Sequence, residues 1–307
     1  MLYQVYCRRQ FTESKYHFVY DKLYFKELIS YSGWSLFGNI AVVAKGQGVN
    51  LVLNLFFGTV VNAAYAITNQ MVSAVNLFAS NLQMAFNPQI IKNYSQGNLE
   101  QTQNLIFQGS KISFFLILLL VSPILLNTEY ILVLWLNEVP EYTIVFVQLA
   151  LVGILIDSLS GTLMTGAQAT GKIKWYQIVV GTLLFVNLPI SYFMLKMGLN
   201  AYSIFILSVL ISFLSLQFRL IFLNKMMNLD IKKYYTIIFS KVILISLLVF
   251  TGAILYKYYI RVPMTFILFI VESFIVLLFT LGLILMIGIN TNERKFISGI
   301  ILKKINR

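Results

Sequence analysis

Charge is what this sequence has least of. Only 11% of its 307 residues are Asp, Glu, Lys or Arg, against about 25% in a soluble domain. With 59% hydrophobic residues and a mean hydropathy of +0.80, the chain is excluded from the soluble globular class. Cysteine and histidine are nearly absent. One Cys (Cys7) and one His (His17) fall in the polar N-terminal stretch, so neither a disulfide framework nor a multi-ligand zinc site can be built. Residues 1–24 contain Arg8, Arg9, Lys15 and Lys22 and no apolar h-region. They do not read as a signal peptide, and targeting falls to the apolar spans. Gly46 and Gly48 lack the strand and the Lys-Ser/Thr pair of a phosphate-cradling loop. With no nucleophile–base pair and no metal-ligand cluster in view, the chain reads as a non-enzyme without cofactor or metal.

What it has in abundance is apolar helix. Spans are expected at 29–57, 60–90, 104–127, 142–169, 174–196, 200–224, 236–258 and 264–289, each long enough for the ~20 residues a bilayer needs. The expected fold is therefore all-α, a polytopic membrane bundle of eight transmembrane helices. Residues 128–142 read as an interfacial loop with a short helical turn, and Pro189 is expected to kink the fifth span. The basic residues test this layout. Eighteen Lys and Arg fall on one side and three (Lys196, Lys257 and Arg261) on the other, with Lys45 and Lys241 left inside spans. By the positive-inside rule both termini are cytoplasmic. The net charge of +12 is then a topogenic signal, and no nucleic-acid partner is needed to explain it.

The polar residues within the spans are ordered. Asn62, Ala66, Asn69, Ser73, Asn76, Ser80, Gln83 and Asn87 recur at steps of three or four, which puts them on one helix face. In the preceding span Ser35, Gly38, Ala41, Lys45 and Gly48 form a small-residue stripe around a lysine. Hydrocarbon does not solvate an ammonium, so an ionisable residue at this depth faces a wet cavity or a partner. The two helices read as walls of a polar chamber. Asp157, followed by Ser158, Ser160, Gly161 and Thr162, lies at a similar depth and could face Lys45 or share the chamber. An ion pair tying two helices, or a snorkelling lysine, would explain the same residues structurally. Interhelical hydrogen bonds would likewise explain the amides. Glu272 reads as a partner for a neighbouring helix or a lipid-headgroup contact.

The run Gly33-Trp34-Ser35-Leu36-Phe37-Gly38-Asn39, then Lys45-Gly46-Gln47-Gly48, Asn54-Leu55-Phe56-Phe57-Gly58 and Asn62-Ala63-Ala64-Tyr65-Ala66, closely resembles bacterial polysaccharide-biosynthesis flippases. These belong to the multidrug/oligosaccharidyl-lipid/polysaccharide exporter superfamily. Asn87-Pro88-Gln89-Ile90-Ile91-Lys92, with Tyr94 and Gly97, resembles the cytoplasmic end of the family's eighth helix. Leu134-Trp135-Leu136 and Pro140 resemble its turn between helices nine and ten, and Cys7-Arg8-Arg9, Phe11 and Glu13 resemble its inter-lobe loop. The resemblance covers about 1–225 and implies four parts. These are a cytoplasmic inter-lobe segment (1–28), a six-helix C-terminal lobe (29–225), two additional helices (226–290) and a basic cytoplasmic tail (291–307).

By the same resemblance the chain begins just before helix seven and reads as a truncated half. A missing N-terminal lobe or partner chain is expected to complete the cavity. The implied function is movement of lipid-linked oligosaccharide, with a pyrophosphate head group, across the bacterial inner membrane for surface polysaccharide synthesis. Lys45, Asn62, Asn69, Ser73, Asn76, Ser80 and Asp157 are the expected cavity residues. A cation-coupled multidrug exporter of the same superfamily, or a non-transporting membrane scaffold, are the alternatives.

Overall fold

A capping aspartate opens the first helix. Asp21 Oδ1 accepts the backbone N–H groups of Leu23 and Tyr24 at 2.8 and 3.4 Å, so α1 starts at Lys22, ahead of the expected residue 29. The computed structural model describes residues 6–7, 10–11, 20–259 and 265–289. Most of the inter-lobe segment and all of the basic tail lie outside them. Helix α1 (Lys22–Ser95) holds 74 residues, which in one straight rod would reach about 110 Å, against a hydrocarbon core of about 30 Å. The interruption is Gly58, at φ 72° and ψ −157°, a conformation open only to glycine. Two arms result, 22–57 and 59–95. The Tyr65 hydroxyl donates to the Gly46 carbonyl at 2.8 Å, although 19 residues in a straight helix would separate them by about 28 Å. The arms therefore lie side by side, with Val49, Val52 and Leu53 packed near Val61, Ala64 and Tyr65.

The chain continues through α2 (Leu99–Leu126), α3 (Thr128–Leu136), α4 (Thr143–Ser158), α5 (Gly161–Ala169), α6 (Lys174–Lys196) and α7 (Ser203–Met227). The last elements are α8 (Ile231–Tyr234), α9 (Ser240–Tyr259) and α10 (Phe266–Leu283), with π-turns at Tyr235–Phe239 and Ile284–Gly288. Seven of these stretches are long and apolar enough to cross a membrane, the first containing both arms of α1 and another joining α4 to α5. That makes eight apolar rods, in agreement with the eight expected. Among the described residues every regular element is helical. α3 supplies the short helix expected in the interfacial loop, and α6 runs continuously through Pro189.

Packing fixes the order of the rods. α2 is the central one, with Ile106, Ile117, Leu118 and Val121 fully buried. It runs antiparallel to α5, where Gly109 meets Thr162 and Ile106 meets Gly166. The second arm runs parallel to α5, through Gln83 at Gly161 and Asn87 at Thr165. The first arm runs parallel to α6. α10 lies antiparallel to α2, tied by Ser122 to Thr280 at 3.2 Å, with Gly288 just beyond it against the Phe115 ring, and it touches α3 through the rings of Phe269 and Tyr130. The Gly58 turn shares one end of the bundle with the 137–142 loop, since Phe57 and Tyr142 are in ring contact. Lys92, Lys172, Lys225 and Lys232 gather at the opposite, basic end.

Candidate functional site

The small-residue stripe of the first arm is a packing surface. A Cβ built on Gly38 would collide with the Gln177 side chain, and one on Gly48 with that of Leu188. Ala41 is fully buried between them. The stripe thus seats the first arm against α6 through Gly38, Ala41 and Gly48, while Ser35 and Gly38 also border a small polar cavity. The stripe also carries Lys45, which shares the face, into the bundle. There Lys45 Nζ donates to Ser212 Oγ of α7 at 3.4 Å.

α7 presents a polar face of its own. Ser208, Ser212, Ser215 and Arg219 follow one another at steps of four, three and four, and so share one side of the helix. Asn187 of α6 donates to Ser208 at 3.2 Å, and Ser191 donates to Asn187 at 3.3 Å. Further along, Arg219 is only 7% exposed. It lines a cavity of about 50 Å³ together with Tyr176, Gln177, Gln168, Asn39 and Ser35. Arg219 Nε and Ser215 Oγ find no hydrogen-bond partner among the described residues, and the Tyr176 hydroxyl lies beside the Arg219 side chain. The cavity has room for water, which such groups require when they leave bulk solvent.

Sequence reasoning missed Arg219 by counting it with the charges at the basic end. The signal was the serine spacing that precedes it. Lys111, counted the same way, is 3% exposed within α2. Taking both out of the census leaves sixteen basic residues against three, so the charge asymmetry stands.

Asp157 lies about 21 Å along α4 from its start, and Lys45 about 20 Å along the first arm from the Gly58 turn. They do not touch. Asp157 is exposed and no ion pair joins it to Lys45 among the described residues, although its charge attracts the Lys45 ammonium while Arg219 repels it. Just beyond Asp157 the helix tightens. The N–H groups of Leu159 and Ser160 bond three residues back, at 3.2 and 2.9 Å, a single 3₁₀ turn between α4 and α5. The Leu159 carbonyl accepts Ser110 Oγ from α2 at 2.9 Å, and Thr162 Oγ1 donates to the Ile106 carbonyl at 2.9 Å. The polar run after Asp157 thus pins a bend to the central helix.

The amide stripe divides. Gln83 packs on Gly161, and Asn87 Oδ1 accepts Thr165 Oγ1 at 2.6 Å, so this end ties the second arm to α5. Asn69, Ser73 and Asn76 are exposed, while Asn62 and Ser80 are half-buried. Among the described residues no hydrogen bond joins Lys45 to these amides. The nearest link is Tyr65, which lies beside Asn69 and bonds to the carbonyl of Gly46. Two features emerge where one chamber was expected. One is an interior polar column (Asn187, Lys45, Ser212, Ser215, Arg219); the other is an exposed amide face (Asn69, Ser73, Asn76).

Comparison with known proteins gives one match. The MatE family model matches residues 35–193, just over half of the chain, which takes in both arms of α1 and extends almost to the end of α6. No curated protein and no solved structure matches.

Proposed function

Because the chain belongs to the MatE family, membrane transporters of the multidrug/oligosaccharidyl-lipid/polysaccharide exporter superfamily, we propose that it moves lipid-linked oligosaccharide across the bacterial cytoplasmic membrane. The observation that carries this reading is the charge balance of the column. Two cations, Lys45 and Arg219, share the column, and the one carboxylate that acts on Lys45, the exposed Asp157, pairs with neither. Such a site favours an anionic head such as a pyrophosphate, because a buried cation without a counter-charge is costly until an anion arrives. A hydrated sugar also cannot cross hydrocarbon alone, and the exposed amides offer it donors and acceptors in place of water. A second lobe or a partner chain would face those amides. The cation-coupled drug exporter is the weaker alternative, since coupling to a cation calls for carboxylates and the column itself has none among the described residues, the exposed Asp157 lying outside it.

The test is inactivation of the encoding gene in its native host. Surface polysaccharide is expected to fall and undecaprenyl-linked glycan to accumulate, with efflux of cationic dyes unchanged. Lost dye efflux with normal polysaccharide would make it a drug exporter.

The amide face gives a sharper test in the same cells. Asn69→Leu and Asn76→Leu are expected to hold or raise protein level, since leucine inserts more favourably than an amide, while export falls. Leu77→Val, on a side chain 65% exposed, is expected to change neither. Val75 is 5% exposed and cannot serve as the lipid-facing control that its sequence position suggests. Export that merely tracks protein level would show the amides to be helix glue.

Orientation is checked with single cysteines after Cys7 is replaced. Positions 138 and 257 are expected to react with a membrane-impermeant thiol reagent from outside, and positions 92, 172 and 232 only from inside. Outside labelling at 172 or 232 would overturn the assignment.

A further inference from the structure

The last two helices face each other across an open groove. Val249, Gly252 and Tyr256 of α9 stand opposite Glu272, Val276 and Phe279 of α10, each set at i, i+3 or i+4, and i+7, around a cavity of about 230 Å³. Gly252 keeps it open, since a Cβ there would already stand 3.1 Å from the Phe279 ring. Within this apolar groove Glu272 is 4% exposed. Its Oε1 accepts the Tyr256 hydroxyl at 3.1 Å, while the buried Oε2 has no partner among the described residues. A carboxylate oxygen left bare in an apolar wall asks for a donor, and most strongly for a charged one.

A second cavity of about 360 Å³ shares Val249 and Ala253 with the first, and its rim carries Ser122, Gln148 and the exposed ammonium of Lys257. The adjoining cavities thus present a buried negative group and an exposed positive one, separated by greasy walls. Depth narrows the occupant further. Glu272 lies six residues into α10 and Tyr256 three from the end of α9, about 9 and 5 Å from the helix ends. If the helix ends mark the edge of the apolar span, both groups lie within reach of lipid headgroups.

We propose that α9 and α10 hold one zwitterionic aminophospholipid, its ammonium on Glu272 and its phosphate on Lys257, with its chains lying along the apolar walls. The ligand class follows from charge order. An anionic lipid offers Oε2 at most a neutral hydroxyl and no cation, and a quaternary ammonium headgroup has no N–H to donate to it.

The test uses the full chain, purified in detergent and offered equimolar phosphatidylethanolamine, phosphatidylglycerol and phosphatidylcholine, with retained lipid weighed by native mass spectrometry. Wild type is expected to retain phosphatidylethanolamine over each of the others by about tenfold, the scale of one charged hydrogen bond. Glu272→Gln is expected to bring the ratio near one, and Lys257→Gln, which removes the contact to the phosphate that all three lipids share, to lower total retention several-fold while keeping the ratio, both with unchanged melting temperature. Gly252→Leu, which fills the groove without touching either charge, should also lose the lipid. Equal retention of the three lipids by wild type overturns the proposal, and that comparison stands even if a variant fails to fold. So does a Glu272→Gln protein that keeps the preference, or one that loses stability but not selectivity, which would make Glu272 a helix-pairing acid.

Discussion

Leucine in place of Gly109 is expected to cost the protein its fold. A Cβ at this position would collide with Thr162 Cγ2 and stand 3.2 Å from the Phe86 ring, and leucine adds three further carbons. Three rods meet here: α2, α5 and the second arm of α1. None can retreat freely, because Ser110 bonds to the Leu159 carbonyl in the turn before α5, Thr162 to the Ile106 carbonyl of α2, and Thr165 to Asn87 of the second arm. Overpacking of this kind costs about 3 kcal/mol or more when the surroundings are locked. Fluorescence-detected size exclusion of a tagged protein should show loss of the monodisperse peak, with a lowered melting temperature for what remains. Gly46→Leu is the matched control, since nothing lies within 4 Å of its Cβ. It should be neutral or slightly stabilising, as glycine costs a helix about 0.5–1 kcal/mol relative to alanine. Equal behaviour of the two variants would refute the packing account.

The second large effect concerns the column, and here stability and transport should part. Arg219→Leu removes a buried charge that has no ion-pair partner among the described residues, and replacing a buried ion by an apolar side chain is often neutral or stabilising. Protein level should hold. Export, scored as surface polysaccharide at matched expression, should fall at least tenfold, because a charged hydrogen bond contributes about 1.5–3 kcal/mol. Arg219→Lys should recover part of the loss, keeping the charge but not the planar fork. Lys45→Ala should behave like Arg219→Leu. Lys241→Ala should leave export intact, since its ammonium reaches the Gly288 carbonyl at 3.3 Å, well away from the column. If Arg219→Leu lowered abundance and export in proportion, Arg219 would be structural and the anion reading would fail.

The fold was almost wholly legible in the sequence, and the site only in part. Long apolar runs separated by polar turns specify rods whatever packs on them, so the helix count and the Gly58 break could be read directly. Burial is a property of neighbours. Nothing in Gly38, Ala41 and Gly48 themselves says whether small residues leave a chamber or admit a neighbouring helix; Gln177 and Leu188 decide it. The same holds for the amide stripe, whose Asn87 end is closed by Thr165 of a helix some 80 residues away in sequence. Arg219 escaped for a different reason. An arginine near the end of an apolar run is usually topogenic, and in the expected span 200–224 it stood close to the end. The helix in fact reaches Met227, and the added turn moves the guanidinium inside.

Gly58 has a consequence for how this chain tolerates changes in length. It is a single-residue connection, so it sets the rotational phase between the arms as well as their reversal. A helix advances about 100° per residue. One residue gained or lost at this turn would leave every side chain of the second arm in place along the sequence and misplace all of them in space. Thr68 and Val75 would swing out of the core, and the face shared by Asn69, Ser73 and Asn76 would turn about 100° from its present direction. A surface loop absorbs such an insertion by bulging outward. Here the arm is one rigid rod from residue 59 to its end at Ser95, and the phase error would be carried over its full length.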